Sequence, residues 1–383
     1  MKKTRASWDL LPMFVDERHR TLGRKLEGAI DLENAALHDP VLVIPTLAKL
    51  GVLDLLVPEK HGGGAWGHQG TSLDVRALCI AREAIAYASP VADSIFAVQG
   101  LGSYPLVRAG GHAKILAEVV NGTRVCAFAL TEPEAGSDVA SMRAVARKDG
   151  DGWRLEGEKV YISNVGIANH YVVFANAAPE LGKKGISAFL LDARAEGLDE
   201  EPIAMSVDHP LGRLTFRDAK ASLIGEVGQG LGHALGTLDV FRTSVGAAAV
   251  GMARRALDEA MLRVTTRRQF GKTLAEQQLT QAAIADMATE LDAARLLVLR
   301  AAWEKDNVTD PREGAVSVAM AKMFATEAAQ RIIDRAVQLF GGLGVTDRCV
   351  VDQLYREIRP LRIYEGTTEI QKLIIGGALL ANF

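Results

Sequence analysis

The sequence predicts an α+β protein in which a helical N-terminal domain and a helical C-terminal bundle flank a central antiparallel β-domain. Three observations support this prediction. Apolar residues recur at helical spacing up to about residue 120, alternate with a period of two from about residue 125 to 224, and then return to helical spacing. We therefore divide the chain into residues 1–124, 125–224 and 225–383. A chain of 383 residues exceeds one ordinary hydrophobic core, so several subdomains are expected.

The helical zones carry their strongest patterns at residues 43–53, 73–88, 279–298 and 323–339. In the third segment one stripe predicts the buried face, and it comprises Leu279, Ala283, Ile284, Met287, Leu291, Ala294 and Val298. The fourth segment ends at Gly341 and Gly342, a common kind of C-cap. Together these segments predict long helices in the last zone.

Residues 125–224 are predicted to form a series of strands. Residues 143–148 alternate, Asp149-Gly150-Asp151-Gly152 is typical of a hairpin turn, and residues 153–162 alternate back. Residues 171–174 and 186–191 are predicted to form further strands. This pattern predicts a small antiparallel β-domain.

Composition excludes several classes of function. A net charge of −3 provides no basic field for nucleic acid. No apolar stretch approaches the roughly 18 to 20 residues of a membrane span, and the basic N-terminus is followed by acidic residues rather than by the apolar core of a signal peptide. The cysteines, Cys79, Cys126 and Cys349, are far apart and lack metal-binding spacing, which predicts reduced, buried thiols, a cytoplasmic protein and no metal site.

The chain also lacks the short motifs of several enzyme classes. The glycines of residues 225–236 miss the dinucleotide-binding spacing, and there is no P-loop, no His-Glu-x-x-His and no Gly-x-Ser-x-Gly. If the protein is an enzyme, its chemistry is expected to come from carboxylates and a cofactor.

Glu365 is the leading candidate for a general base. It stands in Tyr364-Glu365-Gly366-Thr367, where an aromatic residue and a glycine predict a partly desolvated carboxylate on a tight turn. Burial raises a carboxyl pKa towards values that suit a base. An alternative is a plain helix N-terminus, with Thr367 or Thr368 as the cap and Glu369 in the first turn.

Four other segments have the residue types of ligand-binding turns. Thr131-Glu132-Pro133-Glu134-Ala135-Gly136-Ser137-Asp138 and Tyr161-Ile162-Ser163-Asn164 each end a predicted strand, and Arg267-Arg268-Gln269-Phe270-Gly271-Lys272 and Gln338-Leu339-Phe340-Gly341-Gly342 each adjoin a helix. Asp239 and Arg242 lie three apart on one helical face. Taken singly, each segment is equally consistent with an ordinary polar turn, an edge strand, a helix end or a surface ion pair.

In this order the motifs resemble those of the acyl-CoA dehydrogenase family of flavoproteins, from about residue 40 to the end of the chain. The resemblance implies noncovalent FAD between the β-domain and the C-terminal bundle. It assigns the isoalloxazine to Phe128, Leu130, Thr131, Tyr161 and Ser163. It assigns the remainder of the nucleotide to Arg267, Phe270, Gln278, Gln338, Gly341, Gly342, Thr367 and Glu369. It also implies a homodimer or homotetramer, because a neighbouring subunit usually supplies part of the FAD site.

The resemblance implies a reaction in fatty acid metabolism, the α,β-dehydrogenation of an acyl-CoA to the 2-enoyl-CoA. Glu365 would remove the α-proton, and electrons would pass to an electron-transfer flavoprotein. The substrate would contact Ser137, Asp239, Arg242, Tyr364 and Gly366, with Arg242 far from the reacting carbons. Some relatives carry the base two residues after the aspartate of the Asp-x-x-Arg motif, but Phe241 stands there and cannot serve.

Three positions depart from the pattern of the family. Tyr161 stands where many members have tryptophan, and residues 207–214 form a shorter loop that lacks the usual Gly-x-Arg-x-Ser. Asp93 stands where dicarboxylyl-CoA members place an arginine, so a free carboxylate there is expected to disfavour a glutaryl group. Two alternatives remain: a member that passes electrons to oxygen, such as an acyl-CoA oxidase or a nitroalkane-oxidase-like protein, and a noncatalytic flavoprotein scaffold.

Overall fold

The computed structural model describes residues 3–66, 72–308, 311–347 and 349–381, without the side chains of residues 311–313. The helices are α1 (Ser7–Leu10), α2 (Glu17–Ala29), α3 (Pro40–Leu50), α4 (Val75–Ala88), α5 (Pro90–Ala109), α6 (Ala113–Val120), α7 (Gly230–Thr266), α8 (Gln278–Asn307), α9 (Pro311–Phe340), α10 (Val350–Leu361) and α11 (Thr368–Ala381). The strands are β1 (Cys126–Ala129), β2 (Val145–Asp149), β3 (Gly152–Ser163), β4 (His170–Asn176), β5 (Ile186–Asp192), β6 (Leu198–Pro202), β7 (Leu211–Ile224), β8 (Arg268–Gln269) and β9 (Lys272–Thr273). The predicted order of helices, a central sheet and helices is therefore confirmed.

These elements form two compact units. The bundle unit comprises Met1–Asn34, Val75–Asp93 and Arg242–Phe383, and the sheet unit comprises Ala35–Asp74 and Ser94–Phe241. Each unit joins segments that are distant in sequence. The predicted division into three consecutive domains stays a prediction. It was drawn from local periodicity, which carries no information about which distant helices share a core.

The bundle unit is built around its long helices. α9 packs against α8, α10 and α11, and α4 packs against α2 and α8. The predicted stripe on α8 is buried at Met287, Leu291, Ala294 and Val298. The prediction is wrong for Leu279, which is 88% exposed because the first turns of α8 lie on the surface of this unit.

The sheet unit contains a seven-stranded sheet in the order β1-β4-β2-β3-β7-β5, with β6 paired to β7 and β5 paired also to β4. The predicted hairpin joins β2 and β3 in antiparallel register, with Asp149 opposite Gly152. The β3–β7, β4–β5, β5–β7 and β6–β7 pairs are antiparallel too. β1 runs parallel to β4, however, which a long connection between the two strands permits.

Two of the predicted thiols, Cys79 and Cys126, are buried, whereas Cys349 is partly exposed, and none of the three forms a disulfide in the described part of the chain. Among the residues that the structure describes, no helix is both long and apolar enough to span a lipid bilayer.

Candidate active site

Glu365 lies in a tight turn that connects α10 to α11. Its φ of 53° is left-handed, a region that costs a residue with a Cβ atom about 1–2 kcal/mol. Gly366 follows with a φ of 90°, and a Cβ atom there would lie 2.5 Å from Nε2 of Gln371. The turn therefore requires glycine directly after the glutamate, which explains the Glu-Gly pair in the sequence.

Side chains from three helices hold the backbone of this turn. Arg242 of α7 donates from Nε to the Glu365 carbonyl at 3.1 Å. Lys322 of α9 donates from Nζ to the Gly366 carbonyl at 2.7 Å, and Nε2 of Gln371 in α11 donates to the same oxygen at 2.9 Å. Because two of the donors carry a positive charge, these bonds are stronger than neutral ones. The turn is consequently fixed before any ligand binds.

The flanks of the turn are anchored by Glu327 of α9. This carboxylate accepts hydrogen bonds from Nε of Arg362 and Oγ1 of Thr368, each at 2.8 Å. Thr367 accepts a hydrogen bond at Oγ1 from the Ile370 backbone N–H at 3.3 Å and so caps α11. The helix-cap interpretation of this motif is thus correct for Thr367, and it coexists with the strained turn at Glu365.

The carboxylate of Glu365 has an unusual environment. Its Oε2 atom is buried without a hydrogen-bond partner in the described chain, although the residue as a whole is partly exposed. Burial raises the pKa of the Glu365 carboxyl, while Arg82, Arg242 and Lys322 act to lower it and Asp93 acts to raise it. Burial also lowers the pKa of Lys322 to about 8. A carboxyl group with a raised pKa and an oxygen that no described residue occupies with a hydrogen bond is suited to proton abstraction near neutral pH.

Arg82 and Asp93 form a buried ion pair in the bundle unit. Nε and Nη2 of Arg82 donate to the two Asp93 oxygens at 2.9 and 2.7 Å, and Nη1 donates to Oγ of Ser244 at 3.1 Å. Burial raises the pKa of Asp93, and the guanidinium opposes that rise. The Asp93 carboxylate is therefore paired with Arg82, which removes the unpaired charge on which the expected repulsion depends, whereas the expectation that a glutaryl group is disfavoured stays a prediction. The sequence did not predict a role for Arg82, because this residue lies within α4 and belongs to no recognisable motif.

The structure adds a contact of Arg242 that the sequence did not predict. Its guanidinium donates to the backbone carbonyl of Glu365, the candidate base, and its distance from the reacting carbons of a substrate stays a prediction. Tyr364 precedes the base, and burial raises the pKa of its phenol above the usual value. Asp239 is partly exposed in the sheet unit, whereas Arg242 belongs to the bundle unit. The two residues of the Asp-x-x-Arg motif are thus distributed over both units.

A second group of predicted residues lies at the end of β3 in the sheet unit. Tyr161 (φ 58°) and Asn164 (φ 67°) are both left-handed, and the β3–β7 register shifts between Lys159 and Ile162. The bulge leaves Tyr161 64% exposed. Asn164 is buried and donates from Nδ2 to the Cys126 carbonyl at 2.9 Å, which ties β3 to β1. Between them, Ser163 is partly exposed.

The neighbouring loop after β1 is organised by a buried ion pair. Nζ of Lys159 donates to Oε1 of Glu132 at 2.8 Å and to the Leu130 carbonyl at 3.0 Å. Burial lowers the pKa of Lys159 to about 8, and Glu132 opposes the change. Thr131 accepts a hydrogen bond at its carbonyl from the Val160 N–H at 2.9 Å. Lys159 is a second residue whose role the sequence did not predict. A lysine in a strand of alternating residues is normally exposed, so nothing in the sequence indicates that it is buried.

The other members of the loop and strand have different environments. Leu130 is buried, and the partly exposed Phe128 packs against Phe174 with ring centroids 4.9 Å apart. Ser137 is exposed. Tyr161 is therefore exposed and Thr131 and Ser163 are partly exposed, whereas Leu130 belongs to the core.

The predicted nucleotide-binding residues lie on the surface of the bundle unit. Arg267 and Phe270 belong to a hairpin made by β8 and β9, where Phe270 is left-handed (φ 53°) and 92% exposed. Exposed positions elsewhere in this unit are Gln278, Gln338, Gly341, Gly342 and Glu369, and Thr367 is partly exposed. Arg263 links two of these regions, since its Nη2 donates to the Phe340 carbonyl at 3.4 Å. No motif indicated Arg263.

Backbone strain coincides with the predicted motifs. In the described part of the chain the non-glycine residues with positive φ are Tyr161, Asn164, Asp218, Phe270 and Glu365. All but Asp218 belong to segments that the sequence analysis selected as candidate sites. Sparsely populated backbone conformations cluster at functional sites because only a demanding site outweighs their cost. Asp218 instead marks a bulge, where the register shifts between Leu155 and Glu156.

The described residues contain no group of three or more His, Cys, Asp or Glu side chains that could hold a metal ion.

Comparison with known families agrees with this arrangement. The chain matches the N-terminal, middle and C-terminal domains of acyl-CoA dehydrogenase over residues 12–122, 127–219 and 228–380. It is 38% identical to a probable acyl-CoA dehydrogenase, FadE25, of Mycobacterium tuberculosis over 98% of both chains. It is 35% identical to the caffeyl-CoA reductase-Etf complex subunit CarC of Acetobacterium woodii over 89% of this chain and 90% of that protein.

Solved structures show the same fold. Butyryl-CoA dehydrogenase of Megasphaera elsdenii is 31% identical, with a TM-score of 0.82 over 99% of this chain and 100% of that chain. An acyl-CoA dehydrogenase of Bacillus anthracis complexed with FAD is 27% identical, with a TM-score of 0.86 over 97% of this chain and 68% of that chain. The chain therefore belongs to the acyl-CoA dehydrogenase family, a family of oxidoreductases, and the expected FAD cofactor is confirmed for the family.

Proposed function

We propose that this protein is an FAD-dependent acyl-CoA dehydrogenase that converts an acyl-CoA thioester to its 2-enoyl-CoA, with Glu365 as the base that removes the α-proton. The observation that carries the proposal is the unpartnered, buried Oε2 of Glu365 on a strained turn. Leaving a buried carboxylate oxygen without a hydrogen bond costs about 1–3 kcal/mol or more, so a bound ligand or a proton at this oxygen would relieve that cost.

The Glu365 turn also provides a backbone N–H that can donate a hydrogen bond to the substrate. In the described chain the backbone N–H of Glu365 has no hydrogen-bond partner, whereas the carbonyl of the same residue is held by Arg242. A thioester carbonyl that accepts a bond from this N–H would place its α-carbon near the carboxylate. Because an α-proton is weakly acidic, a fixed donor to the developing enolate oxygen is an efficient form of catalysis.

Each unit by itself offers groups that suit a part of FAD. Phe270 and Tyr161 are exposed aromatic rings, and Cβ atoms built at Gly341 and Gly342 would meet nothing within 4 Å, which leaves room for a diphosphate. Arg267, Gln278 and Gln338 add polar side chains in the bundle unit, and Ser163 and Thr131 add hydroxyl groups in the sheet unit. Bound FAD would supply the acceptor for the β-hydride.

Further parts of the proposal concern partners. Electron transfer to an electron-transfer flavoprotein is supported by the Etf complex to which the A. woodii relative belongs. A homo-oligomer is supported by large apolar side chains exposed on the bundle unit, such as Phe270 and Leu279. A cytoplasmic location is supported by three cysteines that form no disulfide among the described residues.

Anaerobic titration of the purified yellow protein with a panel of acyl-CoA thioesters tests the proposal. At least one saturated thioester is expected to bleach the flavin and to yield the 2-enoyl-CoA. Bleached enzyme should be reoxidised faster by electron-transfer flavoprotein than by oxygen, whereas faster reaction with oxygen would identify an oxidase. Bound FAD that no thioester reduces would overturn the proposal and favour a noncatalytic scaffold.

A further inference from the structure

The loop before β7 is attached to the end of β3 through His209. Nε2 of His209 lies 2.9 Å from Oγ of Ser163, and the adjacent Pro210 carbonyl accepts a hydrogen bond from the Asn164 N–H at 2.8 Å. The loop is closed at its base by the Ile203 N–H, which donates to the Leu211 carbonyl at 2.8 Å. The sequence of this stretch departs from the family pattern, so family motifs alone do not predict the contact.

The imidazole of His209 is neutral at pH 7. Its pKa is lowered to about 4 by burial. A neutral imidazole carries one proton, and Nδ1 is buried without a hydrogen-bond partner in the described chain. Orphaned buried N–H donors are rarer than under-satisfied acceptors, so the proton is expected on Nε2. His209 then donates to Ser163, and the serine O–H is left to point away from the histidine.

Ser163 is placed to present that proton to a ligand. It is partly exposed and stands between Tyr161 and Asn164, both of which have left-handed backbones. A serine hydroxyl has one donor and two acceptor sites, and its rotation is free unless a partner holds it. By occupying one acceptor site, His209 restricts that rotation.

We propose that His209 is a positioning residue that orients the Ser163 hydroxyl as a hydrogen-bond donor to the acceptor edge of the oxidised isoalloxazine. This inference rests on the proposed function, because it takes Ser163 to line the flavin. An oriented O–H favours the oxidised ring, whose edge nitrogen accepts, over the reduced ring, where the same nitrogen carries a proton. Loss of either residue should therefore raise the midpoint potential of the bound FAD.

The experiment compares five variants with the wild type as FAD-loaded proteins, by redox titration and by the visible absorption spectrum of the flavin. Ser163→Ala and His209→Ala are each expected to raise the potential and to shift the flavin absorption band. The double variant should show no greater change than Ser163→Ala, since both residues act through one hydroxyl. His209→Gln should restore most of the wild-type potential and spectrum, because its amide reaches the position of Nε2.

His209→Asn is the matched control, since its amide is one methylene shorter and should behave like His209→Ala. Thermal unfolding of the Gln and Asn variants checks that both fold equally well. A wild-type potential in His209→Ala, or effects that add in the double variant, would overturn the role of His209. These outcomes are separate from a failure of the proposed function, which would appear as wild-type protein that binds no FAD or is reduced by no acyl-CoA.

Discussion

The turn at Glu365 and the end of β3 near Ser163 both contain left-handed residues, but charged groups surround the first and neutral groups surround the second. The Glu365 turn sets a carboxylate among Arg82, Arg242 and Lys322, and its backbone is held by charged donors. The end of β3 presents a neutral hydroxyl held by a neutral imidazole. The comparison indicates that strain alone does not define a chemical role, because left-handed backbone occurs both at the carboxylate that we propose as the base and beside the hydroxyl that we propose as a neutral donor.

The charged region should show the largest effect on catalysis. Glu365→Gln is expected to retain FAD and acyl-CoA binding but to lose turnover by about 10²–10⁴-fold or more, because the amide cannot accept a proton. Steady-state and single-turnover flavin reduction provide the measurement. Turnover within tenfold of the wild-type rate would show that the carboxylate is not the base.

Neutralising a member of the buried pair should mainly affect stability. Asp93→Asn leaves the Arg82 guanidinium buried without a counter-charge, and breaking such a pair costs about 3–5 kcal/mol. Denaturant unfolding measures this loss. In protein that remains folded, removal of the Asp93 charge should lower the Glu365 pKa, so the acid limb of the pH–rate profile should move to lower pH. An unchanged stability would show that the pair is not coupled to the core.

Removing a cation that holds the turn should have the opposite effect on pH dependence. Arg242→Ala removes a charged hydrogen bond of about 1.5–3 kcal/mol, so flavin reduction should slow by about 10- to 100-fold. Because Arg242 lowers the Glu365 pKa, the acid limb should move to higher pH. Arg255→Ala on the same helix is the control, since that side chain pairs with Glu259 instead. A change in half-saturation alone would instead support the expectation that Arg242 binds the thioester far from the reacting carbons.

The smallest effect on stability and activity is expected at Asp218, whose left-handed backbone has no proposed role in catalysis. Asp218→Gly removes a left-handed aspartate from the β7 bulge and should change stability by less than about 1 kcal/mol, because relief of strain offsets the loss of exposed ion pairs. Flavin reduction should be unchanged. A marked loss of activity would show that the left-handed backbone at Asp218 matters for function, as proposed for the candidate sites, and not only for the fold.

Much of the fold was predictable because its signals are local. The β2–β3 hairpin follows from Asp149-Gly150-Asp151-Gly152, and the turn before α11 follows from Glu365-Gly366. The parallel pairing of β1 with β4 and the exposure of Leu279 were not predictable. Both depend on which distant segments pack together, and the same hydrophobic period is compatible with several arrangements.

The sequence by itself determined the order of helices and strands, the family and the identity of the candidate base. These follow from periodicity, from residues that special backbone positions require, and from motifs in a fixed order. Only the tertiary structure decided that Arg82 neutralises Asp93, that Lys322 and Arg242 hold the turn, and that His209 reaches Ser163. The physical reason is that a charge or a hydrogen bond acts over a few ångströms in space, whereas its partners stand up to 123 residues apart in the chain.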